Sequence, residues 1–539
     1  MGSIRRFNWN IKTFLKMYKL HFFEYNTLFF CIVLSVGLST GESLMSIGTI
    51  GLVINWLVEG RFSNKWELAK ERGYIPFLLI SSFIILLIGL LNTTNFEYAF
   101  HDLKIKLPLL FLPLVLGTIE IKRKHTKLIL IFFIAALLFS TLVSFFVFLE
   151  IIPIKKSLKD IRNISIFISH IRLSLLICMA IVLLAYRSAK EKVALLKLGV
   201  LALIVWFIYF LTVLQAITGI VILFVLIILF VVKIILKRTN LLLKFLVLGL
   251  VFSFGIYAYW NVNQIYQNNF IAQPVDVLAL EEKTKGGEIY QHKLEEDWVE
   301  NGNRVWYYIA PIELNKAWGK RSPMKLDSLD LVGQPLWGTL YRFLASKGLR
   351  KDKTGVESLT DLEIKEVESG KTNCCENLSG LNLRIKETLF EFIAYRKGQN
   401  PNGHSIVQRI IYINTSFHII KNNFLFGVGI GDVKDAFAKQ YEVENAQLKG
   451  SNRKRVHNQF LSIFVALGVF GFAYWMFAML FPYFYLGGKS SLYFYFLVIV
   501  LFSFLTDNTL ERQAGVMFFS FFNSLILFQL RKESSFQKD

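Results

Sequence analysis

Cysteine is scarce in this sequence, with four in 539 residues. Cys31 and Cys178 lie within apolar runs, whereas Cys374 and Cys375 are adjacent in a polar region. Adjacent cysteines rarely pair with each other, because a disulfide needs well-separated Cα atoms. A free thiol and an intermolecular disulfide are therefore the two open alternatives for Cys374 and Cys375.

Spaced clusters of metal ligands are also missing. His, Cys, Asp and Glu do not recur at the spacings of known metal sites, so the sequence predicts no metal and no cofactor. The stretch FGVGIGD has glycines at 427, 429 and 431, but this is not the dinucleotide-binding spacing, and it follows a predicted helix instead of a strand. We interpret it as a tight connection, with Asp432 capping the next helix.

Acidic residues are few compared with basic ones, with 39 Asp and Glu against 60 Lys and Arg and a formal net charge of +21. An excess of positive charge can indicate a nucleic-acid partner. Here the basic residues are mostly clustered between apolar runs, where they act as topology signals and bind anionic lipid headgroups. We therefore predict membrane lipids, and no nucleic acid, as their partners.

Apolar residues, in contrast, are abundant throughout. The chain is 54% hydrophobic, contains 51 phenylalanines and has a mean hydropathy of +0.47. This composition predicts an all-α polytopic membrane protein and excludes a soluble multidomain protein. The basic N-terminus precedes an apolar segment from about Thr27 without a small-residue cleavage site, which predicts an uncleaved first membrane helix.

At about 20 apolar residues per span, the sequence predicts about 12 transmembrane helices. They cover residues 27–40, 43–59, 75–91, 106–119, 128–149, 170–186, 195–213, 218–236, 241–261, 459–485, 491–506 and 515–531.

Connections rich in Lys and Arg alternate with connections poorer in them. The rich segments are RFSNKWELAKER, KRKHTK, YRSAKEK, VKIILKR and the C-terminal RKESSFQKD. By the positive-inside rule both chain ends are then cytoplasmic. The predicted organisation is an N-terminal membrane region of about nine helices (1–261), a large, mainly helical external domain between helices 9 and 10 (262–456), and a C-terminal membrane region of about three helices (457–539).

The external domain is polar and contains four tryptophans, namely Trp298, Trp306, Trp318 and Trp337. Aromatic side chains can stack on sugars, but packing in the domain core is their more common role. Both roles stay open from the sequence.

Two predicted external segments carry positive charge, against the positive-inside rule. One holds Lys155, Lys156, His170 and Arg172; the other is RKRVHN, with Arg453, Lys454, Arg455, His457 and Asn458. External positive charge opposes insertion, so a bound anion would compensate for it. Snorkelling towards headgroups is the favoured alternative for the lysines. Arg172 and His457 lie at the edges of apolar helices, where an ionisable group suggests a function, and for these two residues snorkelling and a functional role stay equally open.

The run VHNQFLSIFVALGVFGF resembles the His-Asn-x-x-Leu and Gly-x-x-Gly signature of the O-antigen ligase and polymerase superfamily, with His457, Asn458, Leu461, Gly468 and Gly471 in register. SIVQRIIYINTSFHIIKNNFLFGVGIGD resembles the helix and glycine connection that precede it, with Arg409 at the arginine position. TDNTLERQAGVMFFSFFNSL, LNKAWGKRSPM and LYRFLASKGLRKDKTGV resemble the branch found in Bacteroidota.

The resemblance implies a metal-independent, inverting glycosyltransferase of the bacterial inner membrane, with residues 262–456 in the periplasm. Such an enzyme transfers a glycan from a polyprenyl-diphosphate carrier to a hydroxyl acceptor. A ligase would use a lipid A core sugar, and a polymerase would use another carrier-linked glycan. A transporter or flippase of lipid-linked glycan is the alternative from another class, and a non-catalytic polysaccharide sensor is a further one.

The resemblance also implies roles for individual residues. His457 would accept the proton of the attacking hydroxyl, since histidine is the usual general base. Arg409 would hold the diphosphate, because guanidinium groups grip phosphate oxygens in pairs. The expected substrate-binding residues are Arg172, Asn458, Arg455, Arg453, His170 and Thr218. For Asn458, capping of the following helix is an equally open role.

One segment departs from the family pattern. Family members carry an arginine at the outer start of the helix before the ninth, whereas residues 215–218 of this chain read QAIT. Arg172 or another basic residue would have to supply the charge, or the donor site differs. A second open point is the pair Asp507 and Glu511, one helical turn apart, which could form a carboxylate site or pair with arginines.

Overall fold

The structure is a computed structural model that describes residues 2–153, 161–189, 191–237, 241–296, 298–374, 381–398, 400–402, 405–487 and 490–530. Lys155, Lys156 and Cys375, which the sequence analysis singled out, lie outside the described residues. The chain divides into two compact units. The first comprises Met1–Lys233 with Asn400–Asp539, and the second is Ile234–Gln399.

Almost all regular structure is helical. The helices up to residue 270 are α1 (Gly2–Thr40), α2 (Glu42–Glu59), α3 (Phe62–Glu71), α4 (Ile75–Ile88), α5 (Phe96–Lys106), α6 (Pro108–Gly117), α7 (Arg123–Phe148), α8 (His170–Ser188), α9 (Ala194–Leu214), α10 (Ile217–Lys237) and α11 (Leu241–Phe270). The later helices are α12 (Pro311–Arg321), α13 (Leu336–Ser346), α14 (Lys353–Glu357), α15 (Asp361–Glu368), α16 (Leu381–Arg396), α17 (Ser405–Asn422), α18 (Val433–Val443), α19 (Gln459–Pro482), α20 (Ser491–Thr506) and α21 (Gln513–Phe528).

Shorter elements connect them. The short 3₁₀ helices are Gly89–Asn92, Ile161–Ile164, Val277–Ala279, Gly450–Asn452 and Thr509–Glu511, and a π-helical turn covers Tyr483–Gly487. Strands β1 (Val299–Glu300) and β2 (Asn303–Arg304) form an antiparallel pair, with Val299 opposite Arg304.

Each of the twelve predicted apolar segments contains a helix. Among the described residues, seven helices are long and apolar enough to cross a membrane, or eight if α2 and α3, which meet at 112°, form one broken span. The apolar helices Ile217–Lys233, Ser491–Thr506 and Gln513–Phe528 are shorter. A mostly helical protein with several candidate membrane spans is thus confirmed; helices suit such spans because they satisfy their backbone polar groups internally in lipid. The count of twelve stays a prediction.

Helix α19 is broken near its middle at Gly468, whose φ is 65° and ψ −171°. The break frees backbone groups, and the glycine connection 424–431 satisfies them. Val428 N donates to Val465 O and Gly429 N to Ala466 O, both at 2.9 Å, while Val469 N donates to Phe424 O at 2.8 Å. These three backbone hydrogen bonds from and to the glycine connection therefore hold the two parts of α19 in place at the break.

The same connection is fixed on its other side to the segment between α4 and α5. Asn92 Nδ2 donates to Gly427 O at 2.7 Å. The Asp432 carboxylate accepts from the backbone N–H groups of Thr94 and Asn95, each at 2.7 Å. Asp432 does occupy the position before α18, but its side chain makes no hydrogen bond to that helix. Its carboxylate instead positions the start of α5.

The second unit has its own core. Its fully buried side chains include Trp318, Leu340 and Phe343, which pack between α12, α13 and the short helices α14 and α15. The apolar helix α11 groups with this unit, and α17 and α18 group with the first unit. α17 and α18 pack against α19; the membrane and external regions expected at 1–261, 262–456 and 457–539 stay a prediction.

We predict that Gly468→Ala lowers the thermal unfolding midpoint of the purified protein. An added Cβ would lie 2.3 Å from Leu425 O, and the φ and ψ of Gly468 belong to a region essentially restricted to glycine, at a cost of about 1 to 3 kcal/mol. Gly199→Ala is the matched control, because nothing lies within 4 Å of its added Cβ. Equal midpoints for Gly468→Ala and the parent would contradict the role of the break.

Candidate active site

A cavity of about 720 Å³ opens at one end of the helices of the first unit. Its lining comes from the starts of α2, α8 and α21 and from the segments before α19 and after α20. The polar lining residues are Glu42, Tyr98, Ser169, Arg172, Lys434, Arg453, Lys454, Arg455, His457, Asp507, Asn508, Glu511 and Arg512. All of these residues belong to segments that the charge pattern predicts on the external side of the membrane.

Asp507 joins an arginine and a histidine at this cavity. Its Oδ2 accepts from Arg172 Nη1, and its Oδ1 lies 3.2 Å from His457 Nδ1. The Asp507 side chain is 6% exposed, whereas that of His457 is 33% exposed. A buried carboxylate thus holds a histidine that still reaches the cavity.

The ionisation of Asp507 determines which nitrogen of His457 carries the proton. Burial on its own would raise the pKa of Asp507, but the hydrogen bond to His457 and the charge of Arg172 outweigh it and lower the pKa to about 2. An ionised carboxylate only accepts hydrogen bonds, so Nδ1 of His457 must donate. In the neutral ring the lone pair then resides on Nε2, for which the described residues provide no hydrogen-bond partner.

Tyr412 supports the other side of the imidazole. Its ring lies 5.9 Å from that of His457 and is almost completely buried. The Tyr412 hydroxyl donates to Asn452 O at 2.5 Å. The ring of His457 is therefore restrained by an aromatic contact as well as by Asp507.

A second ionic network begins one turn further on, at Glu511. Its carboxylate lies 2.8 Å from Arg455 Nη1 and 3.3 Å from Lys106 Nζ. Lys106 also pairs with Asp102 at 2.5 Å, and the Arg455 guanidinium lies over the ring of Tyr98 at 5.5 Å. Burial would raise the pKa of Glu511, yet the charges of Lys106 and Arg455 lower it to about 2.

The remaining cations at the cavity give it an excess of positive charge. Six Lys and Arg side chains line it, against three carboxylates. Lys434, Lys454 and Arg512 are exposed, and none of the three has an ion-pair partner among the described residues. Arg172 Nε is buried and likewise lacks a hydrogen-bond partner within that part of the chain. The cavity is therefore suited to an anionic ligand.

Within the described ranges there is no group of three or more His, Cys, Asp or Glu side chains that could hold a metal ion. Asp507 pairs with Arg172, and Glu511 pairs with Arg455. Of the two interpretations from the sequence, the structure thus has the pairing with arginines.

Comparison with known proteins bears on the same segment. Residues 376–476 match the family model described as O-Antigen ligase. This stretch of the chain is therefore similar to an O-antigen ligase domain. The matched stretch includes Arg409, the glycine connection and His457, so the predicted resemblance to the O-antigen ligase and polymerase superfamily is confirmed. No curated protein matches the sequence significantly.

This match supports glycan transfer of the ligase or polymerase type, and with it a glycosyltransferase-like enzyme that uses a lipid-linked glycan and an acceptor. Together with the apolar helices it indicates a multi-pass membrane protein. The Bacteroidota branch stays a prediction.

The structure brings four of the predicted residues to the cavity, namely Arg172 from α8 and Arg453, Arg455 and His457 from the matched stretch. Asn458 caps α19: its Oδ1 accepts from Leu461 N at 3.0 Å, and its Nδ2 donates to Leu505 O at 3.2 Å. His170, Thr218 and Arg409 are not among the described lining residues. Arg409 lies half-buried on α17, three residues before Tyr412, and its charge acts on that tyrosine.

Several residues at the cavity were not identified from the sequence. Tyr98, Lys434 and Arg512 carried no signal of their own, because each lies in a different segment of the chain. Asp507 and Glu511 did carry a signal, since two carboxylates one turn apart follow an apolar run in TDNTLERQAG. Their partners, however, could not be read from the pattern, because 335 residues separate Arg172 from Asp507.

We predict that Glu511→Gln destabilises the folded protein by about 3 to 5 kcal/mol, because it leaves buried cations without their carboxylate. The double variant Glu511→Gln with Arg455→Gln should be less unstable than the sum of the two single variants. Denaturant unfolding of the three variants and the parent, in one detergent, gives the coupling free energy. Additive effects would show that Arg455 and Glu511 do not interact.

Proposed function

We propose that this protein transfers an O-antigen-like glycan from a polyprenyl-diphosphate carrier to a sugar hydroxyl, with His457 as general base. The observation that carries the proposal is the placement of His457. Its Nδ1 is held by the buried Asp507, and its Nε2 has no partner among the described residues in a cavity rich in positive charge. A carboxylate that orients histidine in this way also stabilises the imidazolium that forms during proton transfer.

The reaction is a single displacement. The acceptor hydroxyl attacks the anomeric carbon of the carrier-linked sugar, and its proton passes to Nε2 of His457. A new glycosidic C–O bond forms as the C–O bond to the diphosphate breaks, and the bonding electrons leave with the diphosphate. Attack from the face opposite the leaving group inverts the anomeric centre. The leaving group gains negative charge, so fixed cations around it lower the barrier.

We propose that the leaving diphosphate is contacted mainly by the cations at the cavity that have no carboxylate partner among the described residues. Lys434, Lys454 and Arg512 are exposed at the cavity. Arg172 and Arg455 are engaged by Asp507 and Glu511, so each has fewer free donors. Arg172 still offers its buried Nε. In this arrangement Arg172 has two roles, since it orients Asp507 and donates to the donor phosphate.

The remaining expected residues keep narrower roles in the proposal. Arg453 donates from its Nε to Leu448 O at 3.3 Å and adds to the positive field of the cavity. Asn458 fixes the start of α19 next to His457. Arg409 belongs to the helix that carries Tyr412, and we propose that it contacts the diphosphate when the carrier is bound. His170 and Thr218 are proposed to contact the carrier near the start of α8 and α10.

The site is proposed to face the periplasm at the inner membrane, without metal or other cofactor. We favour a lipid A core sugar as the acceptor, and a polymerase that joins carrier-linked repeat units is the alternative. In both cases the chemistry at His457 is the same, and only the acceptor differs.

A transporter or flippase receives some support from a second cavity of about 730 Å³, which lies at the opposite ends of α2 and α21. Glu42 and Ala514 line the first cavity, whereas Glu59 and Phe528 line the second. Every residue of α21 from Ala514 to Phe528 is buried, so packed side chains separate the two cavities. A carrier-linked glycan could not pass through this packing, and the arrangement favours the enzyme.

We predict that His457→Ala lowers turnover by about 10² to 10⁴-fold, the usual contribution of a general base. The assay measures transfer by the purified protein from a polyprenyl-diphosphate glycan to lipid A core or to a second carrier-linked glycan. Asp507→Asn should lower kcat with less effect on KM, because it disturbs the tautomer of His457. His101→Ala, at an exposed histidine of α5, is the matched control and should act like the parent.

Product on lipid A core would identify a ligase, and longer carrier-linked chains a polymerase. Transfer by His457→Ala at the parent rate would refute the role of the base.

For Arg409→Lys we expect a severe loss of activity, since the charge survives but the paired donors of the guanidinium do not. Parent-like turnover would remove Arg409 from the diphosphate site.

A further inference from the structure

The four tryptophans between residues 298 and 337 of the second unit have different environments. Trp318 is completely buried, and its Nε1 donates to Met324 O at 2.8 Å. Trp298 packs edge-on against Phe390 at 5.1 Å, and its Nε1 is buried. Trp318 and the indole N–H of Trp298 are therefore enclosed by the unit, whereas Trp337 is exposed and Trp306 is half-buried.

Trp306, Trp337 and Tyr341 form an aromatic cluster at the surface of the second unit. Their ring centroids lie 6.1 Å apart for the two tryptophans, 5.6 Å for Trp337 and Tyr341, and 6.2 Å for Trp306 and Tyr341. Trp337 is 41% exposed, and the other two are half-buried. The Lys293 ammonium lies 4.6 Å above the ring of Trp306.

This cluster stands on a rigid support. Trp337 and Tyr341 are four residues apart on α13, so they share one side of that helix. The neighbouring residues Leu336, Leu340 and Phe343 are completely buried in the core of the unit. Rings fixed in this way lose little conformational entropy when a ligand binds.

Both indole groups keep an unused donor. Within the described residues, neither Trp306 nor Trp337 donates its Nε1–H to a protein acceptor. Indole N–H groups usually find a partner when they are buried, so these two are directed at solvent or at a ligand. The cluster therefore offers apolar ring surface, two N–H donors and one ammonium group in one place.

We propose that Trp306, Trp337 and Tyr341, with Lys293, form a binding platform for sugar residues of the transferred glycan. A pyranose ring has one apolar face of C–H groups, which suits an aromatic ring, and a rim of hydroxyls, which suits the indole N–H and ammonium donors. This assignment rests on the proposed function for the nature of the glycan. The platform would retain the polymer apart from the reacting end.

The polar surroundings favour a sugar over an apolar occupant. Lys293 is exposed, and the charge of Glu288 acts on Tyr341. The Glu288 carboxylate is held by the backbone N–H groups of Ile312 and Glu313, at 2.9 and 2.7 Å. A ligand with hydroxyl groups can hydrogen-bond to these polar groups, whereas lipid chains would remove water from them without replacing the lost hydrogen bonds.

The test uses the glycan itself, released by mild acid from the same polyprenyl-diphosphate donor as in the transfer assay. Isothermal titration of the full-length protein in detergent measures its Kd. Trp337→Ala and Trp306→Ala should each raise the Kd about tenfold or more, as for other exposed aromatic anchors. Trp260→Ala is the matched control, because this tryptophan of α11 is 54% exposed and lies outside the cluster.

Thermal unfolding of each variant checks that the second unit remains folded. His457→Ala should bind the released glycan like the parent, so binding and transfer report separately. If transfer is absent and binding follows the pattern above, the proposed chemistry fails and the platform stands. Absence of glycan binding by the parent, or an equal Kd for Trp337→Ala, overturns the platform even where transfer proceeds. A Trp337-dependent association between copies of the chain, without glycan binding, would also overturn it.

Discussion

The carboxylate of Asp507 is the group on which the candidate site depends. It compensates the charge of Arg172 at the edge of α8, and it orients the imidazole of His457 at the start of α19. Removal of either interaction would leave a buried ion without its partner, which is costly in a low-dielectric setting. The neighbouring Glu511 repeats the arrangement with Lys106 and Arg455. One short segment between α20 and α21 thus neutralises cations from three other parts of the chain.

The break in α19 is a second constraint on the positions of the cavity residues. The first half of α19 directly follows His457 and its cap Asn458, and its end is tied by backbone hydrogen bonds to the glycine connection. Asp432 and Asn92 tie that connection to the segment before α5, the helix that carries Tyr98 and Lys106. The residues of the cavity are therefore positioned by contacts between backbone groups as well as by ion pairs.

The helices and the position of His457 could be predicted from the sequence, because hydropathy and charge are local properties. The prediction that Arg172 and His457 both lie at helix edges agrees with their places, in the first turn of α8 and just before α19. The pairing of Arg172 with Asp507 could not be predicted, since it joins residues 335 positions apart. The break at Gly468 could not be predicted either, because the apolar run continues across it and the backbone angles of a residue cannot be read from composition. Resemblance pointed to Arg409, yet the described cavity is lined without it.

The burial of α21 from Ala514 to Phe528 has a consequence for how the protein assembles in the membrane. Its 16 residues are fewer than the roughly 20 that span a bilayer, and its buried residues include Ser520, Asn523 and Ser524. This helix is therefore surrounded by protein and not by lipid. Tyr493 on α20 supplies a hydrogen bond to Asn523 that lipid chains could not offer. The last helix thus depends on earlier helices for its insertion, so the active-site segment that precedes it reaches its final place only when the bundle around α21 has closed.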